Sequence, residues 1–171
     1  LSMGSLSAQT TAPASESFGN TLNLGLGIGY YGYVGHAMPA FHLNYEFEVA
    51  RNFTLAPFVT LVSYRNTRRW SSQNYYYRQT VVPMGVKGTY YFDKLLHAGS
   101  RWDFYLAGSL GFAWRTTRWE DGYGGETHVT NGTSGLYLDG HIGAEYHASQ
   151  NVGLFLDLST GISLFGVAIH L

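Results

Sequence analysis

The sequence predicts an all-β protein, an eight-stranded antiparallel up-and-down transmembrane β-barrel, and three observations carry that prediction. Apolar residues alternate with small or polar ones at a period of two along segment after segment, the pattern of strands whose two faces meet different media. Charged residues make up only 12% of the chain, about half the usual share, while aromatics reach 16% and glycines number 22. No stretch approaches the ~20 continuous apolar residues of a membrane helix. At roughly 20 residues per strand and connection, eight strands use up the 171 residues. A formal net charge of -1 gives no reason to expect nucleic acid as a partner, and the absence of cysteine excludes disulfide and thiol chemistry.

Residues 1–19 read as a lead-in and residues 20–171 as the barrel. Leu6, Ser7 and Ala8 before Gln9 suit the small-residue end of an export signal, and Met3-Gly4-Ser5 suits a tag remnant equally well. From Gln9 to Ser17 the Thr, Ala, Pro and Ser content reads as a flexible periplasmic lead-in.

Strand one is expected over Thr21–Tyr30, with Leu22, Leu24, Leu26, Ile28 and Tyr30 outward and glycines at 25, 27 and 29 inward. No helical pattern follows those glycines, so they do not make a nucleotide loop. Strand two, Phe41–Val49, sends Phe41, Leu43, Tyr45, Phe47 and Val49 out and His42, Asn44, Glu46 and Glu48 in. Past Arg51-Asn52, strand three runs Phe53–Val62. Pro57 has no N–H to give a ladder, so a bulge or a missing bond is expected there.

Tyr64–Arg78 is expected as a long loop, with Arg65, Arg68, Arg69 and Arg78 interleaved among Trp70 and tyrosines. Strand four, Thr80–Phe92, turns Pro83, Gly85, Lys87, Thr89 and Tyr91 inward. Asp93–Ser100 connects to strand five, Arg101–Arg115, the clearest of all. Trp102, Phe104, Leu106, Leu110, Phe112 and Trp114 share one face, and Asp103, Tyr105, Ser109 and Arg115 share the other. Between the two tryptophans the strand climbs roughly 30 Å at a tilt near 40°, close to the apolar band of an outer membrane. Tyr30, Trp102, Trp114 and Tyr146 are the expected interface aromatics.

Thr116–Ser134 is expected as the longest loop. Strand six, Leu136–Tyr146, turns Leu138, Ile142 and Tyr146 out and Tyr137, Asp139, His141 and Glu145 in, with His147 following on that face. Strand seven, Val152–Leu158, carries Asp157 inward, and Ser159-Thr160-Gly161 turns into strand eight, where Phe165, Val167, Ile169 and Leu171 alternate to the end. Connections then alternate short and long, as for short periplasmic turns and larger outside loops.

The residues Gly88-Thr89-Tyr90-Tyr91-Phe92-Asp93, the Leu95-Leu96 connection and Trp102-Asp103-Phe104-Tyr105 with its glycine-spaced continuation resemble the small outer-membrane β-barrel domain proteins common in Bacteroidota. More distantly the chain is similar to the OmpA membrane domain and OmpX. The resemblance is sharp over two strands and holds elsewhere by pattern alone. It implies an eight-stranded barrel in the bacterial outer membrane and implies no reaction. An outward apolar final residue matches the strand that barrel-assembly machinery reads, although many such proteins end in Phe where this one has Leu171.

The inward set His42, Glu46, Glu48, Lys87, Asp103, Arg115, Asp139, His141, Glu145, Asp157 and His170 is expected to form a hydrogen-bonded polar plug in a lumen too narrow to conduct. Its alternative is a small pore for cations or apolar solutes, gated by pH through its histidines. His141, Glu145 and His147 share a face, but strand neighbours on one face lie nearly 7 Å apart, so a metal site needs donors from other strands. No metal or cofactor is expected. A lipid-modifying enzyme of the deacylase or acyltransferase type would need a serine beside a histidine, and the rim serines and histidines show no such spacing. Arg65, Arg68, Arg69 and Arg78 suit phosphate, which points to outer-membrane lipid or lipopolysaccharide, or surface glycan, as the partner. Other envelope proteins remain candidate partners. The expected role is therefore structural or surface-interacting and non-enzymatic. An architectural rival is a soluble lipocalin-like barrel, in which Leu22, Leu24, Leu26 and Ile28 would point inward.

Overall fold

A computed structural model describes residues 19–29, 38–92, 101–128 and 135–171. They form one closed antiparallel sheet in which each strand pairs with its chain neighbours and the first pairs with the last. The strands are β1 (Asn20–Gly29), β2 (Met38–Ala50), β3 (Phe53–Trp70), β4 (Gln73–Tyr91), β5 (Trp102–Trp119), β6 (Leu136–His147), β7 (Val152–Ser159) and β8 (Ile162–His170). Residues 1–18 of the lead-in, Tyr30, residues 31–37, the Asp93–Ser100 connection and residues 129–134 of the expected loop Thr116–Ser134 fall outside the described residues. Both chain ends of the barrel lie at one mouth, where the Leu171 N–H donates to the Asn20 carbonyl. We call this the terminal mouth and its opposite the hairpin mouth.

The period-two patterns resolve as a wall with two faces. Leu24, Leu26, Ile28, Leu106, Ile142, Leu154 and Leu156 stand outward, and Leu110, Leu138 and Phe165 are 59%, 66% and 60% exposed. A belt of exposed large apolar side chains on this scale exceeds what soluble monomers carry. It also excludes the lipocalin arrangement, because Leu24, Leu26 and Ile28 face away from the lumen. Trp102 packs against Tyr146 at 5.0 Å and Trp114 is 68% exposed, so both stand on the outer wall.

The expected loop Tyr64–Arg78 is a strand hairpin instead, and strand also takes up the first four residues of the expected loop Thr116–Ser134. β3 and β4 continue past the belt as a hairpin, paired without interruption from Val62↔Val81 to Trp70↔Gln73. Ser71 and Ser72 close it with φ of 48° and 65°, the left-handed pair that a two-residue hairpin turn requires. β5 joins the same wall as far as Tyr77↔Trp119. The strand pattern fades here because the outward positions turn from apolar to polar, and the chain lacks the Asn-Gly signal usual for so tight a turn. Inward, however, Tyr64, Tyr77, Gln79 and Val81 keep the alternation and are buried. Trp70, Tyr75, Trp119 and Tyr123 pack together at its upper end, the last two stacked at 3.9 Å.

Pro57 leaves a gap and no bulge: Asn44↔Phe58 and Phe47↔Leu55 keep one register on either side, while the actual shift falls at Glu48/Ala50. β4 and β5 approach so closely at Gly85↔Gly111 that a Cβ on either would meet the other strand's backbone.

Candidate functional site

The lumen separates into layers, and the polar plug expected from sequence fills only part of it. Toward the hairpin mouth, Phe58, Val62, Tyr64, Val81, Tyr137, Ile162 and Leu164 make a buried apolar layer. They occupy inward positions of β3, β4, β6 and β8. Below lies a cavity of about 20 Å³ bordered by Asn23, His42, Glu46, Lys87 and Asp157, room for about one water.

The central layer is organised on Asp157. It pairs with Lys87, accepts from Tyr105 Oη at 3.1 Å, and is bonded by His141 Nδ1 at 2.7 Å. Ser109 Oγ lies 2.9 Å from the other ring nitrogen of that histidine. Ser109, His141 and Asp157 thus stand in the order of a nucleophile, base and orienting acid, a grouping from three strands that no sequence spacing reveals. All three are buried, and of them only Asp157 borders the cavity.

Glu46 is held by Asn23 at 3.1 Å, by Tyr91 Oη at 2.6 Å and by Thr54. Asn44 donates its amide to His42 Nε2 at 3.0 Å, which leaves Nδ1 to donate to Thr60 Oγ1 at 2.7 Å. Asp139 has a separate duty. It accepts from the backbone N–H of Gly161 and Ile162 and from the hydroxyls of Thr160, Ser159 and Tyr137, and so caps the β7–β8 turn. Glu48 and Arg115 are half-buried, on β2 and β5 respectively. At the terminal mouth Asp103, Glu145, His147 and His170 draw together, with Thr21 bonded to His170 at 3.0 Å.

Outside, the wall of β3, β4 and β5 sorts the arginines by face. Arg65 lies directly opposite Arg78, and Arg78 directly opposite Arg118, so these form one outward row across three strands. Arg65 also covers the Tyr76 ring at 4.0 Å. Arg69 is exposed on the same side, while Arg68 points to the other face and pairs with Glu126 at 3.7 Å. Arg118, within the expected loop Thr116–Ser134, lies on β5.

No family model matches the chain, and no curated protein matches it either. Among solved structures it is similar to Neisserial surface protein A, with a TM-score of 0.58 and 15% identity over 89% of this chain and 96% of that one. A de novo designed transmembrane β-barrel aligns with a TM-score of 0.51 and 11% identity, covering 90% and 96%. The attachment invasion locus protein Ail of Yersinia pestis aligns at 0.46 and 9%, covering 88% and 95%. The first two likenesses establish the shared architecture, an eight-stranded antiparallel closed β-barrel.

Proposed function

We propose that the protein is a non-enzymatic barrel of the bacterial outer membrane that presents its arginine row to phosphate groups of outer-leaflet lipid. One observation carries this reading: Arg65, Arg78 and Arg118 stand in direct cross-strand register on an exposed face. Like charges placed directly opposite destabilise a sheet, and among the described residues no carboxylate pairs with any of the three. An anion between them relieves the repulsion, and guanidinium groups fit phosphate oxygens in pairs. Height agrees. Arg118 lies four residues beyond the outward Trp114, about 10 Å above it at a tilt near 40°, where lipid headgroups begin. In this reading the terminal mouth faces the periplasm, and β8 is the strand offered to barrel-assembly machinery.

The test titrates the folded barrel in zwitterionic micelles with lipid A and with dephosphorylated lipid A. Tighter binding of the phosphorylated form, reduced at least tenfold in Arg65→Gln/Arg78→Gln/Arg118→Gln, is expected. Equal affinity for both lipids, or an unchanged variant, overturns the reading.

A further inference from the structure

We propose that Glu145, His147 and His170 form a binding site for one divalent transition-metal ion of the zinc class at the terminal mouth of the barrel. The site is independent of the arginine row. One ligand atom from each residue lies within 4.8 Å of the others. His170 Nε2 stands 2.8 Å and His147 Nδ1 4.0 Å from Glu145 Oε1. Zinc bonds to N and O of 2.0–2.2 Å place tetrahedral ligand atoms about 3.4 Å apart, and the two observed separations bracket that value. The two histidine nitrogens lie within 4.8 Å of each other and close by up to about 1.4 Å, shared between two rings, to reach that spacing.

The orientation of the rings points the same way. Asp103 Oδ2 holds His147 Nε2 at 2.7 Å, and Thr21 Oγ1 holds His170 Nδ1 at 3.0 Å. Each imidazole therefore has one nitrogen engaged by an outer partner and turns the other toward Glu145. Metal-ligating histidines are fixed in this way, by a carboxylate or other acceptor on the nitrogen that does not bind the ion. The two rings stack at 5.1 Å and 30°.

Glu145 sits on β6 and His170 on β8, with β7 between them. They meet because the intervening inward residue is Gly153: a Cβ there would fall on the Glu145 carboxylate. The His147 and His170 side chains are 26% and 21% exposed, so an ion reaches them from the mouth, whereas Glu145 is 8% exposed and anchors the floor. Two histidines and one glutamate with a fourth position left to water is a donor set that zinc accepts. Copper and nickel share the taste for imidazole, and the class is named accordingly.

The test uses the folded protein in detergent, stripped with chelator and titrated with ZnCl2 by calorimetry, with folding checked by heat-modifiable migration. One ion per chain is expected, lost in His147→Ala/His170→Ala and unchanged in His128→Asn, which lies outside the barrel strands. Asp103→Asn keeps all three ligands and is expected to weaken binding about 10–100-fold by releasing the His147 ring. Gly153→Ala, which displaces the carboxylate without removing a donor, weakens it at least tenfold. Co2+ in place of Zn2+ gives visible d–d absorption that the double histidine variant lacks. No saturable binding below about 100 µM Zn2+, or undiminished binding in the double histidine variant, overturns the proposal.

Discussion

Lys87 on β4 and Asp157 on β7 form an ion pair across the lumen, with both side chains almost wholly out of solvent. Tyr105 supports both partners, donating to Asp157 and standing with its ring 5.0 Å from the Lys87 ammonium. Breaking a buried pair strands the remaining charge, which costs about 3–5 kcal/mol, whereas replacing both partners by apolar groups of similar volume is often neutral. Lys87→Met is therefore expected to destabilise the folded barrel by about that amount in urea titrations. Lys87→Met/Asp157→Leu should recover much of the loss, although His141 and Tyr105 then lack an acceptor. A double variant no better than the single one would show that Asp157 is fixed chiefly by its other partners.

Ser109, His141 and Asp157 have the hydrogen bonds of a catalytic triad, and all three side chains are buried. A fluorophosphonate probe is expected to leave Ser109 unlabelled in the folded protein. Ser109→Ala is expected to cost only about 1 kcal/mol, the usual net worth of one hydrogen bond. Mass spectrometry showing stoichiometric labelling at Ser109 would favour the enzymatic alternative.

At the upper end of the wall, Ser71 and Ser72 both occupy left-handed backbone. Side chains other than glycine and asparagine are disfavoured there, by roughly 1–2 kcal/mol per residue. Replacing the pair by Asn-Gly is expected to stabilise the β3–β4 hairpin by about 1 kcal/mol. Slower amide exchange across Asn66–Tyr77, read by mass spectrometry, is the signature. Unchanged exchange would mean that the aromatic cluster alone sets the stability of this end.

Leu110 and Leu138 face each other across β5 and β6 in the middle of the apolar belt. Arginine on the lipid face of a membrane barrel costs about 2–4 kcal/mol at the midplane. Leu110→Arg is expected to lower stability in lipid vesicles by that amount, whereas Arg69→Leu, above the belt, changes it little. Equal tolerance at both positions would contradict a membrane setting for the belt.

Much of this architecture is legible in the chain before folding. Which side chains face out from Leu24 to Phe165, how many strands there are, and that Glu46, Lys87, Asp139 and Asp157 turn inward all follow from alternation. That is a property of a single strand, because successive Cβ atoms point to opposite faces. Turn residues mark the rest wherever their chemistry is conventional, as at Asn52 and Gly161. Where it is not, as at Ser71-Ser72, the hairpin reads as a loop. Alternation also says nothing of how far a strand continues once its outward residues become polar.

Only the closed sheet decides which inward residues meet. Closing a barrel staggers and tilts its strands, so residues far apart in the chain reach one level of the lumen. That stagger brings Lys87 to Asp157, and Ser109 to His141. It likewise carries His170 across Gly153 to Glu145 and sets Arg65, Arg78 and Arg118 in line. Local periodicity fixed the face of each of these side chains, and their partners came from register and closure, which no single strand contains.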